Sequence, residues 1–191
     1  MDNDANTLIG TEVPSNSMKI LIAVAPEKFR DEELAVPVAA FQKAGIASDI
    51  ASTRRGPCTG MLGAKTTATL AFEEIDPKRY GGLVIIGGSG SQIHLWNDDL
   101  LLQLVKYFHE SRKIVAAICL APVVLARAGI LKGKKATCYE SPVSVREMKT
   151  GGAVLVNKPV VMDGRIITAN GPSASQEFAD AILRTIVEVE R

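Results

Sequence analysis

The stretch with the clearest chemical content is Val115-Ala116-Ala117-Ile118-Cys119-Leu120-Ala121-Pro122. An apolar strand runs directly into a helix there, with a cysteine at the junction. The residues two before and two after it, Ala117 and Ala121, are both small. A nucleophile elbow has that steric requirement, because the strand must reverse into a helix within a residue or two and bulky flanks would collide. A residue at such a turn is held in strained backbone and projects its reactive atom into a crevice. A thiol just ahead of a helix N-terminus also feels the positive end of the helix dipole, so the position predicts a thiolate. The competing reading is a buried structural thiol, since free cysteine is among the most buried residue types.

Gly87-Gly88 follows the apolar run of residues 82–86. A diglycine alone reads as a turn. In open parallel sheets, however, ligands bind outside the carboxyl ends of the strands, where both Cys119 and Gly88 would lie. The backbone N–H groups of Gly88 and Leu120 could then face a developing oxyanion. His94 follows the Gly-Gly loop and is the candidate base, or else a surface-loop histidine. His109 sits late in an amphipathic segment and is expected to be exposed. Cys138 reads as a packing residue or a resolving thiol, and Cys58 as an exposed loop thiol. Trp96 is expected to pack beneath the loop or at a subunit contact.

Strand and helix alternate along most of the chain, which predicts an α/β fold with a mostly parallel sheet covered on both faces. Strands are expected over residues 18–24, 46–51, 82–86, 113–118, 153–156, 159–162 and 165–169, with a turn at Asp163-Gly164. Residues 60–70, rich in threonine, predict a hairpin or edge region. A helix over 31–44 ends at Gly45 and should be kinked or interrupted at Pro37. Asn97 is the predicted cap of a helix running to about Ser111 with Leu101, Leu104, Val105 and Phe108 inward. Further helices are expected over 121–128 and from Ser173 to about Glu188, the latter with Gln176 in a capping box.

The length of 191 residues suits one domain, assigned to residues 18–191, with residues 1–17 as a loose polar tail. With 22 basic and 21 acidic residues, the charge balance provides no footprint for nucleic acid or a membrane surface. The apolar runs are strand-length, so no segment reads as membrane-spanning. Three cysteines without framework spacing fit a reducing compartment, and a cytoplasmic location is expected. No zinc-ligand spacing is present, and neither metal nor cofactor is expected.

These features together resemble the DJ-1/PfpI family. The resemblance rests on residues 19–24, on Phe29-Arg30-Asp31-Glu32-Glu33-Leu34 with Pro37, and on residues 80–88. It extends over the elbow at 116–122, Gly133-Lys134-Lys135-Ala136-Thr137, and residues 168–172 with Phe178. It implies a three-layer αβα sandwich of flavodoxin-like, class I glutamine-amidotransferase-like type. It also implies that Glu33, four residues before Pro37, reaches the cysteine sulfur, where a carboxyl crowded against a thiolate should have a raised pKa. PfpI-type peptidases have histidine directly after the cysteine, and here that residue is Leu120. The deglycase branch often has a histidine further on, where this chain has Tyr139 and Glu140, so these join His94 as candidate third partners.

The function this implies is stress-related chemistry on reactive carbonyls or their protein adducts, of deglycase or cofactor-free glyoxalase type, with Cys119 as nucleophile and Glu33 moving the proton. The alternatives are an intracellular cysteine peptidase, weakened by Leu120, and a redox sensor or chaperone using Cys119 oxidation without turnover. Expected partners are a small carbonyl compound or a protein or peptide substrate, together with a second copy of the chain in a homodimer or higher homo-oligomer.

Overall fold

The computed structural model describes residues 18–189; the expected N-terminal tail over residues 1–17 lies outside the described residues. The chain opens with β1 (Ile20–Ala23) and a short β2 (Glu27–Phe29), followed by α1 (Asp31–Lys43). Next come β3 (Ser48–Ser52), β4 (Gly56–Gly60), β5 (Lys65–Ala68), β6 (Leu70–Ala71) and β7 (Gly82–Ile85). Two helices, α2 (Ser89–His94) and α3 (Asp99–Glu110), precede β8 (Ile114–Ile118) and α4 (Pro122–Arg127). The remainder is β9 (Lys135–Ala136), α5 (Pro142–Thr150), β10 (Val154–Leu155), β11 (Val160–Asp163), β12 (Ile166–Ala169) and α6 (Ser175–Val189).

The main sheet has the order β11-β12-β8-β7-β1-β3-β6. Every neighbouring pair is parallel except β11 with β12, which form a hairpin through the predicted Asp163-Gly164 turn. Side chains alternate between two cores, as the period-two geometry of a strand requires. On β7, Leu83 and Ile85 enter one core while Val84, and Ile86 just past the strand, enter the other. The first core is completed by α3 through Leu101, Leu104, Val105 and Phe108, an i, i+3, i+4, i+7 stripe. The second is completed by Phe41 of α1 and Phe178, Ile182 and Ile186 of α6. The fold is therefore a flavodoxin-like α/β sandwich with helices on both sides of the sheet.

Several local expectations need correction. The predicted kink or early turn at Pro37 does not divide α1, which continues through it to Lys43. The cap of α3 is Asp98 rather than Asn97; its Oδ1 accepts from the Leu101 N–H at 2.8 Å. Gln176 makes no capping box: a single 3-10 turn at Pro172–Ala174 leads into α6, and the Gln176 amide donates to Asp180. The run at 153–156 yields only β10, which pairs with β9 outside the main sheet. The hairpin expected in the threonine-rich stretch is β4–β5, which joins β2 in a separate three-stranded sheet. That small sheet buries Cys58, 1% exposed, against the expectation of an exposed thiol. His109 is half-buried rather than exposed.

Candidate active site

Cys119 stands at the end of β8 with φ +65°, one of three non-glycine residues in the left-handed region among the described residues. That conformation costs an L-residue about 1–2 kcal/mol, so surrounding contacts must hold it. The Cys119 N–H donates to the Ala169 carbonyl at 2.9 Å, and the Cys119 carbonyl accepts from the Tyr139 N–H at 2.8 Å. On the next residue, the Leu120 carbonyl accepts from the Trp96 indole N–H at 2.8 Å. The flanking Ala117 and Ala121 are fully buried, which leaves no room for larger side chains. Cys119 itself is 7% exposed.

Both glycines of the facing turn are required by close approach. A Cβ on Gly87 would stand 2.5 Å from the Ile118 carbonyl oxygen, 2.6 Å from the Cys119 Cβ and 2.7 Å from Glu33 Oε2. Gly88 has φ +96°, and a Cβ there would meet the backbone of Lys28 and Arg30. With no side chains in the way, the N–H groups of Gly88 and Leu120 both reach the Cys119 sulfur.

Glu33 lies in the first turn of α1 and is fully buried. Its Oε2 accepts from the Gly87 N–H at 3.0 Å, while Oε1 has no partner. Burial pushes this carboxyl up to about 7, against the opposing influence of the thiol, the Gly87 N–H and the Arg30 charge. An unpartnered oxygen in a dry site is costly, and a proton on the carboxyl relieves that cost. Burial also pushes the thiol up to about 12, and the Glu33 charge adds to it; the N–H groups of Gly88 and Leu120 pull the other way. The low thiol pKa expected from the helix dipole is thus not met. Helix α4 has only six residues, and its field does not offset the loss of water at the sulfur. Both acids resist ionisation, so each keeps its proton below about pH 7, where the carboxyl is the first to give one up.

The remaining sequence candidates divide. Tyr139 meets the site through its backbone N–H, while its side chain is half exposed. Glu140 is exposed and bears on Cys138 rather than Cys119. His94 does not lie in a loop but ends α2, where Nε2 pairs with Glu27 Oε1 at 3.2 Å. Cys138 is buried with a raised pKa, from burial first. Among the described residues, no three His, Cys, Asp or Glu side chains form a metal cluster, and no helix is long and apolar enough to cross a membrane.

Sequence reasoning missed two contributors. Arg30 places a positive charge within influence of both Glu33 and Cys119, its guanidinium held by Glu32 at 2.7 and 3.0 Å. Its N–H donates to the Gly87 carbonyl at 3.1 Å, which ties α1 to the glycine turn. Trp96 is 3% exposed and pins the elbow from below, with the Arg127 guanidinium 5.4 Å from its ring centroid. A lone tryptophan 23 residues before the cysteine carries no local signal of that role. Trp96→Phe should lower stability by about 1–3 kcal/mol, since it leaves the buried Leu120 carbonyl unpaired, and should change the rate of Cys119 alkylation. Unchanged melting and unchanged alkylation would rule out Trp96 as the support of the elbow.

The protein MJ0967 of Methanocaldococcus jannaschii is 48% identical over 168 residues, covering 88% of this chain and 82% of its own. Deglycase TK1284 of Thermococcus kodakarensis is 37% identical over 156 residues, covering 81% and 91%. The crystal structure of a ThiJ/PfpI domain protein from Brachyspira murdochii superposes with a TM-score of 0.86 at 33% identity, covering 90% of this chain and 98% of that one. The sequence profile of the DJ-1/PfpI family matches residues 18–185, and with these relatives it places the chain in the DJ-1/PfpI family.

Proposed function

We propose that the chain is a cysteine-dependent enzyme of deglycase or glyoxalase type, acting on α-oxoaldehydes or on their adducts with amines and thiols. The observation that carries this reading is that the strained, buried Cys119 and the buried Glu33 both crowd against Gly87, with the carboxyl raised to about 7. A thiol with a normal hydrolase role would have an imidazole beside it; the nearest candidate, His94, is engaged with Glu27. A carboxyl that holds or releases a proton near neutrality is suited to moving protons on and off a carbonyl substrate. The relative TK1284 is named a deglycase, which agrees with that chemistry.

In this mechanism Glu33 takes the thiol proton, and the sulfur adds to the aldehyde carbon. The new C–S bond opens the C=O, and its oxygen, facing the N–H groups of Gly88 and Leu120, is protonated to give a hemithioacetal. In an amine adduct the same attack breaks the C–N bond, and the amine leaves with a proton. Glu33 then moves the proton from C1 to C2 while the hydroxyl proton passes from O1 to O2, converting the hemithioacetal into the thioester of a 2-hydroxy acid. Water hydrolyses the thioester, releasing the acid and restoring the thiol. The net change is addition of one water, with no external oxidant or reductant. A cleft of about 450 Å³, lined by Tyr139, Asn157, Asn170 and Ser173, adjoins the elbow and offers polar walls to the remainder of an adduct.

The test is formation of lactate from the methylglyoxal–N-acetylcysteine hemithioacetal, followed by proton NMR. Lactate should accumulate with multiple turnovers per protein. A rate no higher than that with heat-denatured protein would sink the reading. If peroxide then added two oxygens to Cys119 in the intact protein, the redox alternative would take its place.

A further inference from the structure

At the opposite end of β8 from Cys119, a cavity of about 350 Å³ opens between the end of α3, the start of β9 and the β11–β12 turn. We propose that this cavity is a binding site for a phosphate-bearing small molecule, separate from the cysteine crevice. Its walls carry Arg112, Lys113, Lys134 and Arg165, with His109 beside them and Asp163 as the one acid. Four fixed cations against that carboxylate leave three positive charges on the wall, whereas the whole chain has a formal charge of +1. The wall is therefore more basic than the chain as a whole.

The single carboxylate is already committed. Asp163 Oδ1 pairs with Lys134 Nζ at 3.1 Å, and Oδ2 accepts from the Lys135 N–H at 3.0 Å. Lys113 Nζ donates to the carbonyls of Pro77 and Tyr80 at 2.8 and 2.6 Å and lies 5.5 and 5.4 Å from the Tyr107 and Phe108 ring centroids, so it has polar and aromatic partners but no carboxylate. Arg165 donates to the Arg112 carbonyl, again a neutral partner. Cations at a helix C-terminus are ordinarily explained by the helix dipole. That explanation reaches His109, Arg112 and Lys113, but not Lys134 and Arg165, which come from other elements.

Arg112 supplies an independent observation. It occupies the left-handed position just after α3, with φ +54°, where glycine is the usual residue. The corresponding positions after α1, α4 and α5 are Gly45, Gly129 and Gly152. Of these four helices only α3 carries a side chain there, at a conformational cost, and that residue, Arg112, lines the cavity. Arginine is suited to bidentate contact with phosphate. The volume lies at the lower end of the range for small-ligand sites, enough for a phosphate group with a compact organic part.

The test uses inorganic pyrophosphate and inorganic phosphate as probes, titrated calorimetrically into the full chain at constant ionic strength set with sodium chloride. Saturable one-to-one binding is expected, weakened about tenfold or more in Arg112→Gly. That substitution suits the backbone at this position, so its melting temperature should hold or rise, and lost binding cannot be ascribed to unfolding. Lys134→Gln should weaken binding in the same direction. Absence of saturable binding, or equal binding by wild type and Arg112→Gly, would overturn the proposal. The carbonyl chemistry at Cys119 stands or falls separately, because Cys119→Ser should bind pyrophosphate as wild type does.

Discussion

Cys119→Ser is expected to lower lactate formation from the hemithioacetal by about a thousandfold or more, the scale on which loss of a covalent nucleophile acts. The fold should persist, because serine can donate and accept the same backbone hydrogen bonds to Ala169 and Tyr139 that hold the elbow. A hydroxyl in place of the thiol would need a far stronger base than a carboxyl that titrates at about 7. Cys58 and Cys138 are buried at 1% and 2% exposure, so neither can substitute as nucleophile. NMR turnover assays with matched melting curves check both halves of this statement. Residual activity within tenfold of wild type would remove the nucleophile role from Cys119.

Glu33→Gln should change both reactivity and stability, in opposite senses. In the wild type the pair loses its first proton near pH 7, and the remaining proton can sit on sulfur or carboxyl; only the second arrangement exposes thiolate. Alkylation of Cys119 by iodoacetamide should therefore rise around pH 7, level, and rise again toward 12. In the glutamine variant the step at 7 should vanish. A single step should remain below 12, since the repelling carboxylate is gone while the Gly88 and Leu120 N–H groups stay. Turnover should fall by about 10²–10⁴-fold with the loss of the proton carrier. An alkylation profile identical to wild type would mean the carboxyl does not govern the sulfur.

The stability effect follows from the same group. Its folded pKa of about 7 exceeds the unfolded value of 4.5, so the folded state resists ionisation. The full stability is present below pH 4.5 and is lost as pH rises through 7, by up to about 3 kcal/mol at 1.36 kcal/mol per unit. Glu33→Gln cannot ionise and keeps that stability at pH 8, while the two proteins should converge near pH 4. Denaturant melts at the two pH values decide it. Equal stability at both would place the wild-type carboxyl in water rather than in the core.

Much of this site was legible in the residues, and the failures have physical reasons. The runs at 82–86 and 113–118 read as parallel strands because they are apolar on both faces, and the sheet buries both faces. Ala117 and Ala121 announced the elbow by size alone. Helix α2 was not legible: Gly88-Ser89-Gly90-Ser91 reads as a loop by propensity, and its helical form depends on packing against β2. Cys58 was misread because its burial comes from the small β2-β4-β5 sheet, whose partners are distant in sequence. The pKa of Cys119 was misjudged because the dipole is a local property and burial is not. Arg30 and Trp96 act through contacts that span 57 and 24 residues, distances at which a single sequence has no periodicity to read.

The hydrogen bonds that fix Cys119 at φ +65° come from Tyr139 and Ala169, both later in the chain. During synthesis the N-terminal strands emerge first, and β8 can pair with β7 while β12 is still unmade. Until residue 169 joins the sheet, nothing from that side holds the elbow in its strained state, and Cys119 remains an ordinary cysteine. The reactive geometry is therefore a late product of folding. A nascent or misassembled chain would carry an ordinary thiol in place of one that burial and Glu33 push up to about 12. Closure of the sheet should therefore change the environment of the thiol, and its alkylation rate would report the completion of refolding more directly than secondary-structure content does.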